Sequence, residues 1–215
     1  VAFRRIVPAE LDFAERYRML TCAVQPRPIA LVGTLGEQGE PNLAPFSFFI
    51  VGGVSPASVV FCPTLSGSGE RKDSLRNAER AGVFGVSLPD RVIGNLFSLP
   101  TESYPKSWEV WAERGMPLSP GPETGAPLLD ACPVRFECRL HAVLAHGNGP
   151  HAANYVIGEI VLASLAESLF DADRLVIERF GPLARLGGSD YLDVSSLERF
   201  DPARPNLTSA PSLDL

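Results

Sequence analysis

The residues that most often carry acid–base or metal chemistry are scarce in this sequence. Only three histidines, His141, His146 and His151, occur in 215 residues. His141 and His146 are an odd number of residues apart, so an unbroken strand would point them to opposite faces. His151 falls beyond a turn, and no metal site is expected from the three. The four cysteines, Cys22, Cys62, Cys132 and Cys138, include no C-x-x-C pair. They read as reduced thiols of a cytosolic protein. Cys62 has no histidine near it in sequence, so a buried thiol at a strand end is expected there rather than a nucleophile. H-E-x-x-H, the G-x-S-x-G elbow, a Walker loop and a helix-opening G-x-G-x-x-G are also missing.

Long apolar runs are missing too. The run at 46–51 is broken by Gly52 and Gly53, so no membrane span is expected. Residues 1–9 carry Arg4 and Arg5 with no apolar run behind them, unlike a signal peptide. Basic residues are outnumbered, 19 to 25, for a formal charge of −6. That balance argues against nucleic acid as the main partner but permits one small anionic ligand held by local donors. With 45% apolar residues, the chain can bury a proper core.

The 20 prolines and 19 glycines are scattered, as in a fold of many short elements joined by turns. Residues 10–21 predict an amphipathic helix with Leu11, Ala14, Tyr17 and Arg18 near one face. Residues 29–34 predict a buried strand, 36–39 a turn, and 43–51 the returning strand of a hairpin. A third strand is expected over 58–62, and a glycine-rich loop over 66–69. A helix follows over 73–81, with Asp73 as N-cap and Gly82 as stop. A fourth strand covers 83–88. Residues 90–131 read as an insertion, with short helices at 92–99 and 107–114 and a loop from 115 to 127. Strands resume over 134–146 and, after the turn at 147–150, over 155–168. The tail from 201 is expected to lie across the surface. The class is therefore mainly β with α additions, a barrel carrying a helical and loop insertion.

Two local patterns could hold a ligand. Lys72 and Ser74 flank the start of the helix that follows the glycine-rich loop. Free N–H groups, the positive dipole end, an ammonium and a hydroxyl suit a phosphate monoester. An ordinary capped surface helix gives the same spacing. The second pattern is Asn42-Leu43-Ala44-Pro45-Phe46-Ser47-Phe48-Phe49. Pro45 cannot complete a strand ladder, and free backbone there could meet a flat heterocycle walled by phenylalanines. A core strand with an edge proline also accounts for it.

Taken together, several segments resemble the flavin reductase-like, FMN-binding split-barrel family that includes flavoredoxin. They are Arg27-Pro28-Ile29-Ala30-Leu31-Val32, Asn42 to Phe49 as above, Lys72-Asp73-Ser74-Leu75-Arg76-Asn77, Gly82-Val83-Phe84-Gly85-Val86-Ser87, Ile157-Gly158-Glu159-Ile160, and Pro182-Leu183-Ala184-Arg185-Leu186-Gly187-Gly188 with Tyr191. They follow the family's order from about residue 17 to 192. The sequence departs from it at Gly33, where many relatives have serine before threonine. Ser74 stands for the family's usual threonine, and no histidine follows Ile160 in Val161-Leu162-Ala163-Ser164.

The resemblance implies a single split-barrel domain over 1–215 that binds FMN, with the insertion at about 90–131 and the tail at about 201–215. By that analogy Asn42, Leu43, Ala44, Pro45, Phe46 and Ser47 line the flavin, and Phe61, Cys62 and Thr64 contact its ring or ribityl chain. Lys72 and Ser74 would hold the phosphate, with Arg27 as a further candidate for the same charge. The implied reaction passes a hydride from NADH or NADPH to the flavin and on to an acceptor, which could be a protein. Rival readings are an FMN electron carrier without NAD(P)H turnover, an oxidase of the pyridoxamine-phosphate type, and a barrel without cofactor. A homodimer is expected, with Tyr104, Trp108 and Trp111 of the insertion as partner-facing aromatics.

Overall fold

The computed structural model of the chain describes residues 1–94 and 108–197. In chain order these form α1 (Phe13–Ala23), β1 (Arg27–Pro28), β2 (Ala30–Leu35), β3 (Pro41–Phe46), β4 (Phe49–Val54), β5 (Ala57–Phe61), α2 (Asp73–Ala81), β6 (Val83–Leu88), α3 (Arg91–Gly94), α4 (Trp108–Glu113), β7 (Leu118–Pro120), β8 (Pro127–Leu129), β9 (Val134–His146), β10 (Ala153–Leu165), β11 (Phe170–Asp171), β12 (Arg174–Leu175), β13 (Leu183–Arg185) and β14 (Tyr191–Asp193). The mainly β class is as expected. Seven antiparallel strands pair in the order β3-β2-β6-β9-β10-β5-β4. The two edges, β3 and β4, are consecutive in the chain, and only Ser47 and Phe48 separate them. The chain thus carries one edge of a coiled sheet directly to the other, which gives the split barrel.

That bend corrects the expected strand over 43–51. An unbroken strand would put Phe46 and Phe49 on opposite faces. Both instead bury in one barrel core with Phe61 and Phe84. Filling the barrel with two large rings from either side of the bend overrides the period of two. Helix α2 plugs the end of the barrel with Leu75 and Ala78. Its first residue is Asp73, so the N-cap is Lys72 and not Asp73, and no side chain caps it. The Asp73 carboxylate pairs with Arg76 instead. Gly82 ends the helix at φ 69°, in the left-handed region a glycine adopts without a Cβ penalty.

The insertion holds more structure than the expected loop over 115–127. There β7 and β8 form a hairpin whose turn is tied to the barrel by buried Glu137. Glu137 Oε2 accepts from the backbone N–H groups of Glu123 and Thr124 and from the Thr124 hydroxyl. Strand β8 lies flush on β2 and β6, because a Cβ on Gly33 or Gly85 would overlap the Pro127 carbonyl. A second core forms on this outer face from Leu31, Leu43, Ile93, Trp111, Met116 and Leu129. Trp111 is only 2% exposed, and Trp108 packs against the same cluster. Trp111 therefore seals the insertion onto its own barrel, with Trp108 partly buried beside it, rather than standing out as an exposed aromatic patch. Tyr104, most of the helix expected at 92–99 and the tail lie outside the described residues.

Helix α1 begins later than expected, at a capping box formed by Asp12 and Glu15. The stripe of Leu11, Ala14, Tyr17 and Arg18 is not packed down. Phe13, Tyr17 and Leu20 remain about half exposed, and Thr21 is the buried residue of the helix. Strand β10 starts at Ala153 and ends at Leu165, and residues after it turn into a short 3-10 helix at Glu167–Leu169. His141 falls where the β9–β10 register slips, so the alternation expected to separate it from His146 does not run through.

Candidate functional site

Strand β3 is a sheet edge with proline at both Pro41 and Pro45, which face Leu35 and Leu31 across the β2 ladder. Neither can donate a backbone hydrogen bond, as befits edge positions. Beside this edge runs a groove of about 540 Å³ lined by Asn42, Ala44, Pro45, Phe46, Lys72 and Ser74. Ser66, Glu70, Arg71, Asp73 and Arg76 complete its lining. Six of the twelve residues expected from the sequence thus meet in one place.

The groove's polar end is ordered from below. Asn42 Nδ2 donates to Thr34 Oγ1 at 3.0 Å and to Ser74 Oγ at 3.1 Å. Asn77 Nδ2 also donates to Thr34, at 3.3 Å. Because the Ser74 oxygen accepts, its own proton remains available to donate. The neighbouring arginines are partnered: Arg71 pairs with Glu79, and Arg76 with Asp73. The Lys72 carbonyl accepts from Leu75 and Arg76, but its ammonium has no hydrogen bond or ion pair among the described residues, and it stands at the uncapped start of α2. An anion placed there would meet one unneutralised ammonium, a hydroxyl and the free N–H groups of a helix terminus.

The other expected residues lie elsewhere. Leu43 turns its side chain into the outer core, so only its backbone is on the edge. Phe61 is wholly buried, packed on Phe46 and Phe84 at ring-centroid distances of 5.0 and 5.1 Å, and its ring cannot touch a ligand. Arg27 is a correction of a different kind. It is 6% exposed, its Nη1 donates to the carbonyls of Thr21 and Val24 at 2.6 Å, and its Nη2 donates to Leu186 at 3.0 Å. It clasps the end of α1 to the loop after β13 and does not share the groove of Lys72.

Ser47 and Cys62 line a second cavity between α1, β4 and β5. Burial pushes the Cys62 thiol pKa up, against a backbone hydrogen bond at Asn154 and the positive charge of Lys72. Thr64 faces a third cavity with Phe13, Tyr17, Phe48 and the turn at 147–150. There His151 stacks on Phe13 with 3.6 Å between ring centroids. Sequence reading missed Tyr17 and His151 because their approach depends on how α1 and the β9–β10 turn fold back. It also assigned no site role to Thr34 and Asn77, although both fall in or beside the matched segments: Thr34 Oγ1 accepts from both Asn42 and Asn77 and so helps set the Asn42 amide. Among the described residues no group of three or more His, Cys, Asp or Glu side chains could hold a metal ion.

Known proteins share this architecture. A family model described as flavin reductase like domain matches residues 23–183. An uncharacterized protein of Halalkalibacterium halodurans is 33% identical over 192 residues, which is 87% of this chain and 90% of that one. The uncharacterized protein YwrF of Bacillus subtilis is 31% identical over 207 residues, 92% of this chain and 97% of its own. Among solved structures, nitrilotriacetate monooxygenase component B from Bacillus cereus superposes with a TM-score of 0.82 at 28% identity, covering 94% of this chain and 100% of that one. The 2-nitrobenzoate 2-nitroreductase NbaA of Pseudomonas fluorescens gives 0.80 at 29%, covering 98% and 100%. Flavoredoxin of Desulfovibrio vulgaris (Miyazaki F), at 22% identity over 84% of this chain and 92% of its own, shares the fold with a TM-score of 0.66. The matched stretch runs from the last residue of α1 to the first of β13 and takes in the sheet, the groove and the insertion, so the chain belongs to the flavin reductase-like domain family.

Proposed function

We propose that the chain is an FMN-dependent oxidoreductase of the flavin reductase type, one domain over 1–215 working in the cytoplasm as a homodimer. The observation that carries this reading is the unpaired Lys72 at the uncapped start of α2, beside a proline-interrupted sheet edge. The residues present fit the cofactor. Lys72, Ser74 and the first N–H groups of α2 suit a terminal phosphate. The edge of β3 at Leu43 and Pro45 suits a flat ring, held by backbone groups. Bound flavin would supply the two-electron chemistry, taking a hydride from NADH or NADPH and passing electrons to an acceptor. The protein's part is to fix the phosphate at one end of the groove and to hold the ring along the β3 edge. A terminal phosphate favours FMN over FAD, whose corresponding phosphate lies inside a diphosphate.

The homodimer rests on a different surface from the insertion aromatics. In register across the sheet, Ile50 faces Val60, Val60 faces Ile157, and Tyr155 faces Leu144. Ile50, Leu144 and Tyr155 are exposed there, and Leu20 of α1 and Val24 just after it border the patch. An apolar face of this kind fits a second copy related by a two-fold axis. NbaA, which is named as a 2-nitrobenzoate 2-nitroreductase, is consistent with an oxidoreductase reading of this fold. The reading is tested by the visible spectrum of the purified protein, chromatography of the released cofactor, and anaerobic titration with NADH and NADPH. Stoichiometric FMN and bleaching by either nucleotide are expected. A flavin reduced by dithionite but by neither nucleotide would leave the electron-carrier reading standing instead.

A further inference from the structure

Thr34 is wholly buried in β2 and is not part of the groove's lining. It stands directly opposite Asn42 in the β2–β3 ladder. Its Oγ1 accepts from Asn42 Nδ2 at 3.0 Å and from Asn77 Nδ2 at 3.3 Å. Both lone pairs of the hydroxyl are therefore taken, one by an amide on a strand and one by an amide on a helix. Asn77 lies one turn beyond Ser74 on α2. It lines the neighbouring polar cavity with Glu37, Glu40 and Arg80, and not the groove. Neither Thr34 nor Asn77 thus borders a ligand held beside Lys72.

Their arrangement decides the direction of one proton. The Asn42 amide has two N–H groups, and it directs one to Thr34 and the other to Ser74 Oγ, at 3.1 Å. Ser74 is the second residue of α2, so no carbonyl of the helix stands a turn behind it to take its proton. With Asn42 donating from one side, the hydroxyl proton is left to point into the groove beside the Lys72 ammonium. An amide turned over would offer its carbonyl oxygen to Ser74, take that proton, and leave a lone pair facing a phosphate. Thr34 holds the nitrogen side in place by accepting from it, and Asn77 donates to the same oxygen and ties it to α2.

We infer that Thr34 and Asn77 are positioning residues for a phosphate ester in the groove, and that through Asn42 they fix the Ser74 hydroxyl as a donor to that phosphate. The inference rests on the flavin reading for the identity of the ester and on the hydrogen bonds alone for the order of the chain.

The test is a double-mutant cycle on the purified full chain, freed of flavin by dialysis and then equilibrated with FMN or, separately, with riboflavin. Thr34→Val keeps the shape and removes the hydroxyl. It should weaken FMN about three- to tenfold and riboflavin by less than about twofold. Thr34→Ser keeps the hydroxyl and should bind FMN within about twofold of the parent. In a Ser74→Ala background, Thr34→Val should weaken FMN no further. Thermal melting checks that each variant folds. Asn77 is only half-buried, so Asn77→Ala carries the same cycle should Thr34→Val fail to fold, with an expected loss of about two- to threefold. Equal losses of FMN and riboflavin would make Thr34 a packing residue and overturn the inference. So would additive losses from Thr34→Val and Ser74→Ala, or a Thr34→Ser variant that binds FMN no better than Thr34→Val. A parent that binds inorganic phosphate but neither flavin would remove the flavin reading, and the same cycle read on phosphate would then decide the positioning role. A parent that binds none of the three would overturn both.

Discussion

Strands β2 and β3 serve two regions that differ in kind. Their outer face is covered by the insertion, with Leu31 and Leu43 packed against Trp111, Met116 and Leu129. The free edge of β3 is left open as a groove lined by Lys72, Ser74 and Arg71. The first region is apolar and buried, and the second polar and accessible. A single hairpin can hold a ligand edge in place because its other side is fixed so firmly. Stability and ligand affinity should therefore separate under mutation.

The largest effect should come from Trp111→Ala, which leaves a hole in the outer core. A loss of about 3–5 kcal/mol is expected from urea unfolding, with flavin affinity close to that of the parent while the protein is folded. A large affinity loss at full folding would show that the two regions are coupled. Lys72→Ala is the converse. It should weaken FMN roughly ten- to a hundredfold, about 1.5–3 kcal/mol, and leave the urea midpoint unchanged. Riboflavin, without the phosphate, should be nearly unaffected. Equal losses for both flavins would mean that Lys72 acts on the fold.

A third substitution addresses the sheet face that belongs to neither region. Ile50→Asp places a carboxylate in the proposed dimer patch and should raise the dimer dissociation constant at least tenfold, about 1.4 kcal/mol or more. Light scattering across a concentration series reads it directly, and a parent protein that is already monomeric would refute the interface. The smallest effect compares the two cores, each of which buries a thiol, Cys138 inside the barrel and Cys132 under the insertion. Burial raises both pKa values, that of Cys138 from 9.0 to about 12. A thiol whose folded pKa lies above its unfolded value contributes fully below pH 9, and that stability is lost as pH rises toward the folded value. Between pH 8 and 10 each should cost about 1 kcal/mol, and Cys138→Ala should remove its share. A flat urea midpoint over that range would contradict the burial of both.

Much of this was legible from residue order. The strands at 83–88 and 134–146 and the helix at 73–81 coincide with the elements formed, because their apolar periods and flanking Gly82, Pro89 and Pro133 act locally. The meeting of Asn42, Pro45, Lys72 and Ser74 was readable from motif order. What escaped depends on distance along the chain. The break at Ser47 and Phe48 follows from barrel closure, the β7–β8 hairpin from its bonds to Glu137, and the role of Arg27 from a carbonyl 159 residues away. The two tryptophans suggested a partner surface because composition does not distinguish an aromatic that faces out from one that folds inward.

The contact of Pro127 with Gly33 and Gly85 bears on how such a protein could be re-engineered. The hairpin sits at a height that only hydrogen-sized neighbours allow. Transplanting residues 118–129 onto a barrel with serine at the place of Gly33 would therefore fail unless both glycines were moved with it. The insertion and two positions in strands far from it in sequence form one inheritable unit, and a chimera that respects only the loop's own ends would cut that unit in half.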